Sequence, residues 1–63
     1  MFKITYRNEC RDWEDQPIQS EDERKMTSEA RELQRILNPD LKEMGCAYGV
    51  KDSNGTIIYI APN

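Results

Sequence analysis

One stretch of this 63-residue chain constrains everything else: Ser20 to Asn38 reads as a single amphipathic helix. Met26, Ala30, Leu33 and Leu37 recur at i, i+4, i+7 and i+11, one apolar stripe of a 3.6-residue repeat. Ile36 widens the stripe, whereas Glu21, Arg24, Lys25, Glu32 and Arg35 lie off it. The start carries a capping-box signature, with Ser20 placed to accept the Glu23 N–H and the Glu23 carboxylate placed to reach back. Glu21, Asp22 and Glu23 add negative charge where the helix dipole favours it. Pro39 closes the far end by pushing Asn38 out of the helical region. A single helix cannot hide its own stripe, so the flanking residues must supply a covering layer.

Both flanks read as strands. Phe2 to Asn8 alternates, with Phe2, Ile4 and Tyr6 on one face and Lys3, Thr5 and Arg7 on the other. Cys46 to Ala61 is a hairpin around Asp52-Ser53-Asn54-Gly55. A two-residue Asn-Gly turn would pair Val50 with Tyr59 and set Asp52 against Ile57. A three-residue loop with Gly55 left-handed pairs Val50 with Ile58 and Tyr48 with Ile60, gathering Cys46, Tyr48, Val50, Ile58 and Ile60 on one face. A one-residue slip exchanges the faces, so the cleaner burial selects the three-residue loop. Asn38-Pro39-Asp40 is a second N-cap, opening one helical turn over Leu41 and Met44 that stops at Gly45.

Glu9 to Gln19, ECRDWEDQPIQ, has no hydropathy period. Pro17 argues against a regular ladder or helix interior, so this stretch reads as a polar loop, with Ile18 closing over the helix start. The expected architecture is one α+β domain over residues 1–63, of order β-α-β-β. Its three-stranded antiparallel-type sheet carries the helix, and an extra helical turn, on one face. The expected core is Phe2, Ile4, Tyr6, Met26, Ala30, Leu33, Leu37, Tyr48, Val50, Ile58 and Ile60.

Composition narrows the function classes. Twelve acidic and nine basic residues give a net charge of −3, which argues against general nucleic-acid binding. Histidine is absent, which removes the commonest general base and metal ligand. Cys10 and Cys46 therefore lack the usual thiol activator and are expected as free thiols. No apolar run approaches the ~18 residues of a membrane span, and the start reads as a strand rather than a signal peptide, so a cytoplasmic chain is expected. The carboxylates of Asp12, Glu14 and Asp15 sit on a loop that offers no burial to shift a pKa, so the chain reads as non-enzymatic. No cofactor motif is present. Asn54-Gly55-Thr56 matches a glycosylation triplet, but turn chemistry accounts for it. The acidic stretch lacks the glycine and spacing of a calcium loop.

Two features remain. From Glu9 to Glu23 seven acids stand against one base, Arg11, with Trp13 among them. Asp12, Trp13, Glu14, Asp15 and Asp22 are the candidate partner-binding residues. Trp13 would anchor on a basic groove of a protein partner and the carboxylates would steer the approach. The plainer reading folds Trp13 back onto a small core. The second feature is the outer sheet face, expected to show Lys3, Thr5, Arg7, Ala47, Gly49, Lys51, Ile57 and Tyr59. It could stack and neutralise nucleic acid, form a homodimer contact, or be a plain open face.

A strand, a polar loop, one amphipathic helix and a terminal hairpin closed by Asn54-Gly55, in a small acidic chain, together resemble tiny proteins of phages and mobile elements, anti-CRISPR inhibitors among them. The resemblance implies a stoichiometric inhibitor that masks a nucleic-acid-binding surface on a host protein.

Overall fold

The computed structural model describes residues 1–62. The elements in order are β1 (Phe2–Arg7), β2 (Trp13–Ser20), α1 (Glu23–Ile36), α2 (Pro39–Glu43), β3 (Ala47–Lys51) and β4 (Ile57–Ile60). The class is α+β as expected, but the sheet has four strands, in the order β2-β1-β3-β4, with every neighbouring pair antiparallel. The added strand is β2, which occupies the stretch read as a loop. Trp13 pairs with Arg7 and Asp15 with Thr5, and Gln19 then pairs with Lys3. Gln16, Pro17 and Ile18 stand together opposite Ile4 in a bulge. Pro17 therefore sits on an edge strand at a ladder interruption, one of the few places a sheet accepts proline.

β1 and β2 meet through a turn that uses Asn8 as its hub. Asn8 N–H donates to the Asp12 carbonyl at 2.9 Å, and Arg11 N–H donates to the Asn8 carbonyl at 2.9 Å. The Asn8 side-chain oxygen accepts from the N–H groups of Cys10 (2.9 Å) and Asp12 (3.1 Å). Arg11 takes the left-handed position, with φ 66°. The β3–β4 turn repeats these bonds around Asp52. Asp52 N–H reaches the Thr56 carbonyl at 2.9 Å, and Gly55 N–H reaches the Asp52 carbonyl at 3.1 Å. The Asp52 carboxylate accepts from Asn54 (2.9 Å) and Thr56 (3.0 Å). Gly55 is left-handed, with φ 83°.

The expected three-residue loop forms, but its register does not persist. A bulge after Lys51–Ile57 shifts the ladder, so Val50 pairs with Tyr59 and Gly49 with Ile60. Tyr59 then packs with the core, while Ile58 and Ile60 are exposed rather than core residues. Ala61 fills the place expected for Ile60: it is buried, and its N–H donates to the Tyr48 carbonyl at 2.9 Å.

α1 begins later than the capping-box signature implies. Ser20 is the last residue of β2, paired with Phe2, and so is extended. Asp22 is the N-cap and accepts the Lys25 N–H at 3.2 Å, while Ser20 Oγ accepts the Asp22 N–H at 3.1 Å. The helix ends at the extended Leu37, before Asn38-Pro39. Asn38 caps α2 as expected, and the chain leaves it through Gly45 at φ 91°. In α2, Leu41 is half-buried, but Met44 is exposed.

The core is Ile4, Val50, Met26 and Ala30, with Phe2, Ile18, Leu33, Tyr48 and Tyr59 packed around it. Leu37 is only half-buried. Gln34 completes the buried stripe of α1 and accepts the Tyr48 N–H at 2.8 Å, tying helix to sheet. Its burial is affordable because its carbonyl oxygen is matched to a backbone donor.

Candidate functional site

The candidate residues separate once β2 is recognised as a strand. Alternation sends Trp13 and Asp15 to the outer face of the sheet and Glu14 to the other. Asp12 precedes the strand in the turn, and Asp22 follows it as the helix cap. The bulge shortens β2 to the five steps from Arg7 to Phe2 that it pairs with, roughly 17 Å, and Asp12 and Asp22 lie beyond its two ends. The arrangement is thus a line along one sheet edge rather than a compact cluster.

Two of the five reach across the sheet to β3. Trp13 is half-buried and lies over Gly49 on β3, where an added Cβ would meet its ring at 3.3 Å. The Arg7 guanidinium sits 5.5 Å from the Trp13 ring centroid, in cation–π range, and Arg7 Nε donates to the Gly45 carbonyl at 2.8 Å. Asp15 reaches the same way, with Lys51 Nζ 2.6 Å from its carboxylate. That Lys51 contact is the main reason the Asp15 carboxyl is held below its usual range. Two side chains from β2 therefore bridge β1 and land on β3. Beneath them Thr5 is fully buried and Ala47 nearly so. The Thr5 hydroxyl has no hydrogen-bond partner of good geometry, but it lies close enough to Asp15 to add to that lowering.

Asp12, Glu14 and Asp22 are exposed. Glu14 accepts from the Asn8 side-chain amide, and Asp22 holds the helix cap. From Asp12 to Glu23 the chain carries six acids and no base. Among these acids, the ion pair found within the described residues is that of Asp15.

The outer face is not the platform the alternation suggested. Tyr59 packs on the helix side, Arg7 is stacked on Trp13, and Lys51 is paired with Asp15. Trp13 closes over its centre. The register shift that turned Tyr59 to the helix side is a bulge, for which the hydropathy pattern held no signal. The burial of Trp13 had one, because a glycine on the central strand leaves room for an aromatic ring to cross.

The cysteines are both free thiols, Cys10 exposed and Cys46 buried. Cys46 hydrogen-bonds the Tyr6 hydroxyl, and this contact, followed by burial, pushes the Tyr6 pKa up to about 12. The Tyr6 and Tyr48 rings pack with centroids 4.9 Å apart. A groove of about 470 Å³ lies on the helix side, lined by Arg31, Arg35 and Lys42 among others. Arg35 is paired there with Glu32. Among the described residues no group of three or more His, Cys, Asp or Glu could hold a metal ion, and no helix is long and apolar enough to cross a membrane.

No protein-family profile, curated protein or solved structure matches the chain. The observed β-β-α-α-β-β order also adds a strand to the order that carried the resemblance to small phage proteins.

Proposed function

We propose that this chain is a small, non-enzymatic interaction module whose acidic β2 edge docks on a basic, nucleic-acid-binding surface of a partner protein. It acts there as an inhibitor or modulator of the anti-CRISPR kind, in the cytoplasm. The observation that supports this reading is the run from Asp12 to Glu23, which carries six acids and no base and leaves Asp12, Glu14, Glu21 and Asp22 exposed along and beyond an open sheet edge. A groove built for phosphates is lined with cations that such a line would satisfy, and complementary charge speeds the encounter. Pro17 and the bulge make β2 a poor template for strand addition, so the contact runs through side-chain charge. Trp13 serves by holding the edge in place from beneath.

A tagged chain is used as bait in native lysate, with and without nuclease, beside an Asp12→Lys/Glu14→Lys variant of matched fold. One protein retained at near-equal amount despite nuclease, and lost with the charge-reversed bait, is the expected result. Retention that disappears with nuclease, or that is indifferent to charge reversal, overturns the reading. In the first case the chain is a nucleic-acid binder.

A further inference from the structure

We propose that the open edge of β4 pairs with the same edge of a second copy, joining two four-stranded sheets into one of eight strands. β4 is the outermost strand, and its run Ile57-Ile58-Tyr59-Ile60 carries no charge. Ile58 and Ile60 are 40% and 46% exposed. Ala61 N–H is bonded to Tyr48 on β3, so by antiparallel alternation the N–H and C=O of Ile60 point away from β3, toward the open edge. Folded proteins blunt such edges with charge, proline and bulges. β2 has all three, whereas β4 is short and uncharged, with a bulge at its start and a proline, Pro62, only beyond its end.

Charge placement selects the occupant. The edge has no charged group by which a charged partner would be chosen. A strand edge is also self-complementary, because a two-fold axis sets N–H against C=O and isoleucine against isoleucine. Two copies of a chain with net charge −3 would ordinarily repel. Here the acidic strand β2 lies three strand spacings from β4, about 14 Å. In the paired sheet the two β2 edges lie at opposite ends, about 34 Å apart, several times the ~8 Å screening length at physiological salt. The contact covers one short strand, so it belongs to the small class of interfaces and forms in proportion to concentration. This inference is independent of what the β2 edge binds.

Sedimentation equilibrium from low micromolar to millimolar protein should show the mass rising from 7.4 kDa toward twice that value. Over the same range, hydrogen exchange of the Ile60 amide should slow at least tenfold, while the loop amides of Ser53 and Asn54 keep their rates. Ile60→Pro removes the outward N–H without touching a β3 bond and should hold the chain monomeric. Ile58→Lys, which adds charge at the edge, should do the same. A constant mass of 7.4 kDa overturns the proposal. So does a doubled mass with Ile60 exchange unchanged, which would place the contact elsewhere. Since mass and exchange are read on the unmodified chain, the answer does not depend on either variant folding.

Discussion

The two hairpins of this domain turn on the same four hydrogen bonds, one set around Asn8 and the other around Asp52, yet they finish in opposite kinds of edge. β2 is long, charged and interrupted at Pro17, and it is held by side chains that cross a neighbouring strand. β4 is short and apolar, and its side chains do not bridge to another strand by any ion pair. The turn therefore fixes only that two strands meet. What each edge can do is decided by residues beyond it. Charge, proline and a bulge guard β2 against strand addition, while β4 carries no charge that would do so.

The heaviest test of this contrast is Trp13→Ala. The ring covers Gly49 and lies beside Arg7, and its loss opens the outer face above the buried Thr5. Trp truncations in cores destabilise by about 3–5 kcal/mol, and a half-buried ring belongs at about 3. In a domain of this size that is a large part of the total. Urea midpoints should fall accordingly, with β2 amides losing exchange protection before those of β3. An unchanged midpoint would mean that β2 is held by its backbone alone.

Gly49→Ala strikes both edges at once. The added Cβ would stand 2.6 Å from the Tyr59 carbonyl oxygen and 3.3 Å from the Trp13 ring. The ring can tilt, but the carbonyl belongs to the β4 backbone and cannot retreat without parting the ladder. We expect a loss of about 2 kcal/mol, in the range for overpacking, with β4 amides the first to lose exchange protection. If β2 opened first, Trp13 rather than the β4 backbone would be the part that yields.

The same two hairpins explain what could be read from the residues. Met26, Ala30 and Leu33 declared the helix because their burial is local and periodic. Asn38-Pro39 declared the second cap because its chemistry lies within three residues. Asp52-Ser53-Asn54-Gly55 declared a hairpin because glycine marks the left-handed position. Asn8-Glu9-Cys10-Arg11-Asp12 makes the same turn unannounced, since arginine stands where glycine was to be looked for. The strand after it was equally silent. Trp13 is the one large apolar residue on its outer face and Ile18 the one on its inner face, so alternation left no hydropathy signal. Its ladder is with β1, but the residues on which its outer side chains land, Gly49 and Lys51, lie more than thirty residues away. The acidic line was legible as composition, but its division between engaged and exposed carboxylates depended on that long-range pairing.

The left-handed position offers a smaller and reciprocal test. A side chain there carries about 1–2 kcal/mol of strain, while glycine gives back about 0.5–1 through the greater freedom of the unfolded chain. Arg11→Gly should therefore raise stability by about 0.5–1 kcal/mol, and Gly55→Arg should lower it by about the same amount. Paired denaturation curves read both. A neutral Arg11→Gly would show that the Arg11 side chain offsets its own strain.

The smallest expected effect concerns the second strap, Asp15 to Lys51. Asp15 is exposed and Lys51 half-buried, and ion pairs so open to solvent contribute little, so Asp15→Asn should scarcely move the midpoint at neutral pH. Its signature lies in the pH dependence. The folded Asp15 carboxyl titrates below its unfolded value, chiefly because Lys51 donates to it. A depressed carboxyl contributes stability that is present above the unfolded pKa of about 3.9 and is lost as pH falls through the folded value. Between pH 5 and the folded pKa, the native chain should then lose more stability than Asp15→Asn, and added salt should shrink the difference. Parallel curves would assign the holding of β2 to Trp13 alone. In that case Asp15 would join Asp12, Glu14 and Asp22 as charge available to a partner, and the contrast between the two edges would widen.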